Sequence, residues 1–333
     1  MPRPRVFLFG ATRSGTSWLQ KMLGAHPLVA TPQELDLFSE YVAPLHAAWD
    51  AQVLPPEEWH RRRFKGLPSV LTREEFDAVV RELVESVYER VLAAKPGAEI
   101  VLEKVPGYAA HVPAILRHFP EARLVHIVRD GRDVAVSLRR AARGWGRGWA
   151  AATAEHAAWV WRTNVEAGRA AAALTPNFLE LRYEELASAE GPELLRRTLA
   201  FAGAEATSAE AAAIYERFAR KGEESAAMST LVWAGEVRRR FADLDEPEGF
   251  LDKSRTGGWR EQLGAFERWS FEREAGALLR ELGYTTSAAW VRPGLWRLLG
   301  PGRRLCTSSY GRARFALGAA RHAARRPTSV HVR

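Results

Sequence analysis

Four short runs of apolar and β-branched residues stand out along the chain, at residues 6–9, 100–102, 124–128 and 178–181. Each run is followed by a segment with the pattern of a helix or of a helix start. Strands that alternate with helices in this way are typical of a parallel α/β sheet. The run 124–128 is apolar on both faces, which suits a central strand covered on both sides. The pattern predicts an α/β fold in three layers, with a central parallel β-sheet flanked by helices.

Helical patterns fill the intervals between these runs. An insertion at residues 44–97 contains Thr72 and Glu75, which have the spacing of a capping box at a helix start. Apolar residues then repeat at helical spacing from Phe76 to Val91, and Pro96 is a stop signal. The other predicted helices cover residues 151–174, 190–203, 208–221 and 260–282.

The composition is that of a globular protein. Of 333 residues, 47% are hydrophobic and 26% are charged, which excludes a disordered or fibrous chain. The single cysteine, Cys306, can form no internal disulfide and has no partner thiols for a zinc site. No stretch reaches about 18 uninterrupted apolar residues, and the run 6–9 is too short for the core of a signal peptide. We therefore expect a cytoplasmic protein.

The net charge of +8 comes from the C-terminal end of the chain. Residues 282–333 contain ten arginines but no lysine and no acid, so they carry +10 and leave residues 1–281 at −2. The basic balance therefore does not indicate nucleic-acid binding by the body of the protein. We place a boundary near residue 288, with one domain at 1–288 and a basic extension at 289–333.

The basic extension has a pattern of its own. Arg314, Arg321 and Arg325 would lie near one face of a helix. A basic amphipathic helix favours contact with an anionic membrane surface. The alternative is a solvated and partly disordered tail.

The first motif that carries chemistry joins a strand to a helix through a glycine-rich turn. Gly10 and Gly15 are five residues apart, and the amides of such a turn, with the helix N-terminus, form an anion cradle. The spacing matches the nucleotide P-loop, but Thr16 stands where that loop has its lysine. Arg13 is the only cation in the turn. In the P-loop, Mg²⁺ coordination goes with the lysine and the serine or threonine that follows it. Because that pair is missing here, a phosphoryl-transferring enzyme is disfavoured.

The second motif begins where the run 124–128 ends. Arg129 follows this strand directly, a helix begins near Asp130, and Ser137 lies about two turns farther on. Ligands of α/β folds bind at the carboxyl ends of the strands, and an arginine with a serine hydroxyl can hold a phosphate. The alternative is a surface ion pair without a ligand, either Arg129 with Asp130 or Arg132 with Asp133.

Together the two motifs resemble those of the sulfotransferases that use 3′-phosphoadenosine-5′-phosphosulfate (PAPS). Residues 13–18, Arg-Ser-Gly-Thr-Ser-Trp, are similar to the 5′-phosphosulfate loop of that family, and Arg129 with Ser137 is similar to its 3′-phosphate motif. Four shorter matches occur in the family's order, at residues 103–106, 119–129, 181–186 and 253–260. The resemblance covers roughly residues 5–282.

The resemblance implies a P-loop-like fold that transfers a sulfuryl group from PAPS to a hydroxyl of a carbohydrate, a lipid, a phenol or a tyrosine. It implies no metal, and it suggests that the insertion 44–97 covers the acceptor. Arg13 stands where many small-molecule members have lysine, which favours the members that act on carbohydrate or protein tyrosine. The implied PAPS-binding residues are Arg13, Ser14, Gly15, Thr16, Ser17, Trp18, Arg129, Ser137, Tyr183, Lys253, Arg255, Gly257 and Gly258.

The catalytic residues implied by the resemblance are Arg13, Lys104 and Glu34. Charge builds on the leaving oxygen during sulfuryl transfer, and the cations Arg13 and Lys104 would stabilise it. The acceptor hydroxyl needs a base. Glu34 resembles the glutamate that serves as base in carbohydrate- and tyrosine-directed members, with Asp36 and Glu103 as alternatives.

Other residues have alternative interpretations. His26 is interpreted as a cap of the first helix and His126 as a core histidine. Four tryptophans, at 145, 149, 159 and 161, belong either to the core or to the wall of an acceptor cleft. The competing functions are a small-molecule kinase of the P-loop type and a non-catalytic protein that binds nucleotide or a membrane.

Overall fold

Five parallel strands form one sheet in the order β2-β3-β1-β4-β5. The computed structural model describes residues 4–53, 66–219 and 256–286. The strand order places β1 in the centre, between β3 and β4, so the segments after these strands meet at one edge of the sheet. The strands are β1 (Arg5–Phe9), β2 (Val29–Ala30), β3 (Ile100–Lys104), β4 (Arg123–Val128) and β5 (Phe178–Arg182).

Helices cover both faces of the sheet. They are α1 (Thr16–Gly24), α2 (Ala43–Asp50), α3 (Arg73–Ala93), α4 (Val112–His118), α5 (Gly131–Arg143), α6 (Ala154–Ala170), α7 (Tyr183–Leu186), α8 (Gly191–Ala202), α9 (Ser208–Ala219), α10 (Trp259–Gln262) and α11 (Ala265–Glu281). A π-helix at Leu37–Val42 leads into α2, and short 3₁₀ segments occur at Leu67–Ser69, Pro106–His111 and Ala171–Ala173.

The two-residue period of the strands sorts their side chains between two layers. In β1, Phe7 packs into a cluster that contains Tyr88 of α3. Leu8, its neighbour, packs on the other face with Leu19 of α1. All of these side chains are almost completely buried, so the sheet has a helical layer on each side. The predicted three-layer α/β fold is confirmed.

The predicted helices are present within the described residues, with different ends and, in one case, a break. The capping box is present at the start of α3, where Thr72 accepts a hydrogen bond from the Glu75 amide and the Glu75 side chain accepts one from the Thr72 amide. The helix predicted at 260–282 is two helices, because Leu263 adopts an extended conformation before Gly264. The short strand β2 was not predicted. The predicted extension at 289–333 lies outside the described residues.

No helix within the described ranges is long and apolar enough to cross a membrane.

Candidate active site

The turn between β1 and α1 is held tightly against β4. A Cβ atom at Gly10 would lie 2.3 Å from the carbonyl oxygen of Ile127, so only glycine fits there. Gly15 and Arg13 both have a left-handed backbone, with φ of 97° and 77°. For an arginine this conformation costs about 1–2 kcal/mol. The turn is thus a shaped segment, and it ends at the N-terminus of α1.

This turn presents groups that suit an anion. No side chain caps the N-terminus of α1, where Gly15 is the N-cap, so its first amides are available. Ser14 is fully buried, and its hydroxyl has no hydrogen-bond partner within the described part of the chain. An unsatisfied buried hydroxyl is costly and uncommon. A ligand oxygen at this position would supply the missing bond.

The two sequence motifs meet side chain to side chain. Arg13 donates a hydrogen bond from Nε to Ser137 Oγ at 3.0 Å. Arg129 donates from Nη1 to the carbonyl oxygen of Arg13 at 3.2 Å, and its own carbonyl accepts a bond from Trp161 Nε1 at 2.9 Å. Arg129 is almost completely buried. Two arginines and a serine therefore converge at the carboxyl ends of β1 and β4.

The pair of Arg132 with Asp133, one form of the alternative interpretation of the second motif, is not formed. Arg132 does pair with an aspartate, but with Asp130 at 2.8 Å and not with Asp133. The Asp130 side chain also accepts a hydrogen bond from the Arg132 amide at the start of α5. Arg132 reaches Glu272 of α11 as well, at 3.1 Å, so this buried network fastens α5 to α11.

An aromatic wall stands beside the turn. The ring of Trp18 lies 5.8 Å from that of Tyr183 and 6.0 Å from that of Tyr215. A Cβ at Gly15 would lie 2.5 Å from the Tyr183 ring, so this ring packs directly on the turn. The Arg129 guanidinium also lies over the Tyr183 ring, 4.2 Å from its centroid. Tyr215 was missed from the sequence, since an aromatic residue on α9 is indistinguishable there from a core position.

Lys104 and Glu34, both predicted catalytic residues, form an ion pair. Lys104 is buried at the end of β3, and its Nζ also lies 3.1 Å from the Ser17 hydroxyl of α1. The side chain of Glu34 is 37% exposed, whereas that of Lys104 is 2% exposed. Lys104 therefore contacts both Ser17, at the start of α1, and a carboxylate that solutes can reach.

The two alternative bases, Glu103 and Asp36, have different surroundings. Glu103 is completely buried and accepts hydrogen bonds from Tyr88 and, at 2.5 Å, from Tyr108. Burial raises the pKa of Glu103 to about 7. Because neighbouring residues of a strand face opposite sides, Glu103 faces the layer opposite to that of Lys104. Asp36 has a left-handed backbone with φ of 52° and binds the Ser39 hydroxyl at 3.1 Å.

The late glycine-rich segment is tied to α5 by Asp133. The two carboxylate oxygens of Asp133 accept hydrogen bonds from the amides of Gly257, at 2.7 Å, and Trp259, at 2.8 Å. Asp133 lies one helical turn before Ser137, so Gly257 and Gly258 lie near the second motif. Sequence reasoning did not identify this role of Asp133. Lys253 and Arg255 lie outside the described residues.

The four tryptophans have different surroundings. Trp161 is fully buried in the core. Trp145 lies next to the turn, with its ring 5.3 Å from the Arg13 guanidinium. Trp149 packs on Trp145, with 5.3 Å between ring centroids, and is 50% exposed. Trp159 is exposed on α6.

His26 and His126, the two histidines considered above, both make contacts within the fold. His26, just after α1, accepts a bond from the Leu28 amide at 3.3 Å, and its Nε2 lies 3.2 Å from the Glu205 carbonyl oxygen. His126 is completely buried in β4, with Nδ1 3.2 Å from the Glu180 carboxylate. The interpretation of His126 as a core histidine is confirmed.

The sulfotransferase family model matches residues 4–208, more than half of the chain. A protein-tyrosine sulfotransferase A from Caenorhabditis elegans is 24% identical over 135 residues, which are 40% of this chain and 33% of that protein. An uncharacterized protein from Aquifex aeolicus is 29% identical over 133 residues, 40% of this chain and 16% of that protein. The matched region thus spans a third or less of these two relatives.

Two solved structures have a similar fold. The sulfotransferase domain from the curacin biosynthetic pathway has a TM-score of 0.52 at 17% identity, covering 86% of this chain and 99% of that one. Mouse sulfotransferase SULT7A1, complexed with PAP, has a TM-score of 0.51 at 15% identity, covering 84% of this chain and 88% of that one. With the family model matched over residues 4–208, the chain belongs to the sulfotransferase family.

Proposed function

We propose that the protein transfers a sulfuryl group from PAPS to a hydroxyl of an acceptor. The observation that carries this proposal is the contact between the two motifs, in which Arg13 bonds Ser137 and Arg129 bonds the Arg13 backbone. PAPS carries anionic groups at both its 3′ and 5′ positions, so its site needs two adjacent anion-binding elements. A body whose net charge is −2 must supply those cations locally.

The chemistry of the site residues supports PAPS as the donor. The turn at residues 13–17 would bind the phosphosulfate, and the buried Ser14 hydroxyl would donate to one of its oxygens. Arg129 and Ser137 would hold the 3′-phosphate through charge-assisted hydrogen bonds. The aromatic wall of Trp18 and Tyr183 suits the adenine ring. The PAP bound to the similarly folded mouse enzyme agrees with this assignment.

The transfer step follows from the same residues. The acceptor oxygen attacks sulfur, the bond between sulfur and the phosphate oxygen breaks, and the acceptor proton passes to Glu34. Charge that develops on the leaving oxygen is stabilised by Arg13 and Lys104. The ion pair holds the Glu34 carboxylate beside Lys104. The acceptor is a hydroxyl compound, with carbohydrate, lipid, phenol and tyrosine as the classes to compare.

Ligand-induced stabilisation tests the donor. We expect adenosine 3′,5′-bisphosphate to raise the melting temperature more than AMP or ATP with Mg²⁺ does. A ligand at a hundredfold excess over Kd adds about 2.7 kcal/mol to the free energy of unfolding. Stabilisation by ATP with Mg²⁺ alone would contradict the proposal and favour a kinase. Transfer of labelled sulfate from PAPS to a panel of the four hydroxyl classes then identifies the acceptor.

A further inference from the structure

We infer that Glu103, acting through Tyr108, is a positioning residue that fixes the loop carrying Glu34. The role of Glu34 as base rests on the proposed function, whereas the fixing of the loop does not. Glu103 precedes Lys104 in β3 but faces the other layer of the fold, among the side chains of α3 and of the 3₁₀ segment Pro106–His111. Glu103 and Lys104, on opposite faces of the end of β3, therefore both act on the loop that carries Glu34.

The buried Glu103 carboxylate is held by two tyrosine hydroxyls. Tyr108 donates its hydroxyl proton to Glu103 at 2.5 Å, and Tyr88 of α3 donates to the other oxygen. The backbone amide of Leu37 also favours the charged form of the Glu103 carboxyl group and so acts against the rise in its pKa. All four residues are less than 10% exposed, so water does not compete for these bonds.

Tyr108 extends the connection by one residue. Its hydroxyl oxygen accepts a hydrogen bond from the Phe38 amide at 3.1 Å. The amides of Leu37 and Phe38 are the first two of the π-helix, where amides have no partner within the helix. Tyr108, held by Glu103, thus provides an acceptor for this helix start, which lies three residues after Glu34.

The loop needs such an anchor because its backbone is strained. Asp36, directly before the π-helix, has φ of 52°, a conformation that non-glycine residues rarely adopt. A π-helix is itself uncommon and less favourable than an α-helix. Strained segments persist only where surrounding contacts over-determine them. The anchor at Leu37 and Phe38 keeps Glu34 beside Lys104.

Tyr88 and Tyr108 form a matched pair for the test. Both are completely buried and both donate to Glu103, but of the two only Tyr108 accepts from the Phe38 amide. Tyr108→Phe should therefore release the loop, whereas Tyr88→Phe should affect stability alone. Hydrogen exchange of the Leu37 and Phe38 amides is measured at 25 °C in both full-length variants, together with kcat and the KM for PAPS.

We expect the Phe38 amide to exchange at least tenfold faster in Tyr108→Phe and within twofold of wild type in Tyr88→Phe. We expect kcat to fall about tenfold in Tyr108→Phe, with the KM for PAPS within twofold, and to stay within twofold in Tyr88→Phe. Glu103→Met should accelerate exchange at Leu37 as well. Adding Tyr108→Phe to Glu103→Met should reduce kcat no further, because both changes break one connection.

Equal exchange at Phe38 in the two tyrosine variants would overturn the inference, as would equal losses of kcat. The exchange experiment requires no catalytic activity. If wild-type protein transfers no sulfate, the proposed function fails, and exchange at Leu37 and Phe38 still decides whether Glu103 and Tyr108 hold the loop.

Discussion

At the scale of single residues, Arg129 and Ser137 should determine affinity for the 3′-phosphate. We expect Arg129→Ala to raise the Kd for adenosine 3′,5′-bisphosphate at least tenfold, because a charge-assisted hydrogen bond contributes about 1.5–3 kcal/mol. Ser137→Ala should have a smaller effect in the same direction. Calorimetry measures both. Adenosine 5′-phosphosulfate, which lacks the 3′-phosphate, is the control, and an equal loss of affinity for it would contradict the assignment.

Glu34→Gln should remove most of the turnover and leave nucleotide affinity intact. The amide keeps the size of the side chain and an acceptor for Lys104, but it cannot take the acceptor proton. General-base catalysis contributes about 10²–10⁴ in rate, and kcat should fall accordingly. Asp36→Asn is the matched control, since asparagine tolerates the left-handed backbone, and its kcat should stay near wild type. More than a tenth of wild-type kcat in Glu34→Gln would exclude Glu34 as the base.

The sequence indicated candidate residues but not their partners. Arg13 and Arg129 were expected after the ends of strands and Ser137 about two turns into the helix that follows, and the structure brings them into contact because β1 and β4 are neighbours. Glu103 was an alternative base, next to Lys104 in sequence. Side-chain direction is decided by strand register, which residue identity alone does not provide. The hydrogen bonds of Asp133 depend on a segment 124 residues away, so no local sequence pattern predicts them.

At the scale of elements, Asp133 connects α5 to the segment that begins α10. Asp133→Asn should loosen this segment, because an amide group has one acceptor oxygen for the two amides of Gly257 and Trp259. We expect faster hydrogen exchange at both amides and a Kd for adenosine 3′,5′-bisphosphate raised several-fold. Hydrogen exchange with and without nucleotide checks this. Unchanged exchange at Gly257 would show that Asp133 is not what holds the segment.

The junction of α2, α3 and α4 contains a paired set of histidines. His46 Nε2 lies 2.8 Å from His118 Nε2, and Arg73 donates to His46 Nδ1 at 2.6 Å. With Asp77, these histidines form a group with metal-ligand chemistry within the described residues. The bond from Arg73 requires the neutral His46 to carry its proton on Nε2, directed at His118. This arrangement suits a hydrogen-bonded imidazole pair better than a bound metal.

This pair should make stability depend on pH. Burial lowers the pKa of both histidines, that of His118 from 6.5 to about 4. The unfolded chain therefore binds more protons between these values, and the free energy of unfolding should fall as pH drops from about 6.5 toward 4. Urea unfolding at pH 7, 6 and 5 measures the slope. His118→Gln should flatten it, and parallel profiles for variant and wild type would contradict the role of the pair.

Long periodic segments were the most predictable elements. The helices α3 and α6 follow from apolar spacing and capping residues, and both are present. The strand β2 has two residues and, among the described strands, pairs only with β3, so it carries too short a pattern to be recognised. The break at Leu263 was missed because the apolar pattern continues through it. Such a break depends on packing between α10 and α5, where Trp259 lies in a cluster with Val136.

At the scale of the molecule, the strand order explains why distant motifs form one site. Arg13 and Arg129 follow β1 and β4, Lys104 is the last residue of β3, and these three strands are adjacent in the sheet. The chain order alone does not predict this adjacency, since β3 and β4 both pair with β1 over long separations. In a parallel sheet the carboxyl ends of neighbouring strands lie at one edge, so the cations at or after these ends converge there.

The charge of the whole chain leads to a last prediction. Residues 282–333 carry +10 and the rest carries −2, so attraction to an anionic surface should reside in the C-terminal segment. Near a charged membrane each basic residue contributes about 1 kcal/mol, and salt screens this contribution. We expect full-length protein to sediment with phosphatidylserine vesicles at low salt and to be released at high salt. A chain ending at residue 292 should remain in solution with these vesicles while transferring sulfate to a soluble acceptor at nearly the wild-type rate.

Phosphatidylcholine vesicles are the control, and equal binding of both chains to anionic vesicles would place the attraction outside the segment. Loss of transfer on truncation would instead show that the basic segment completes the active site.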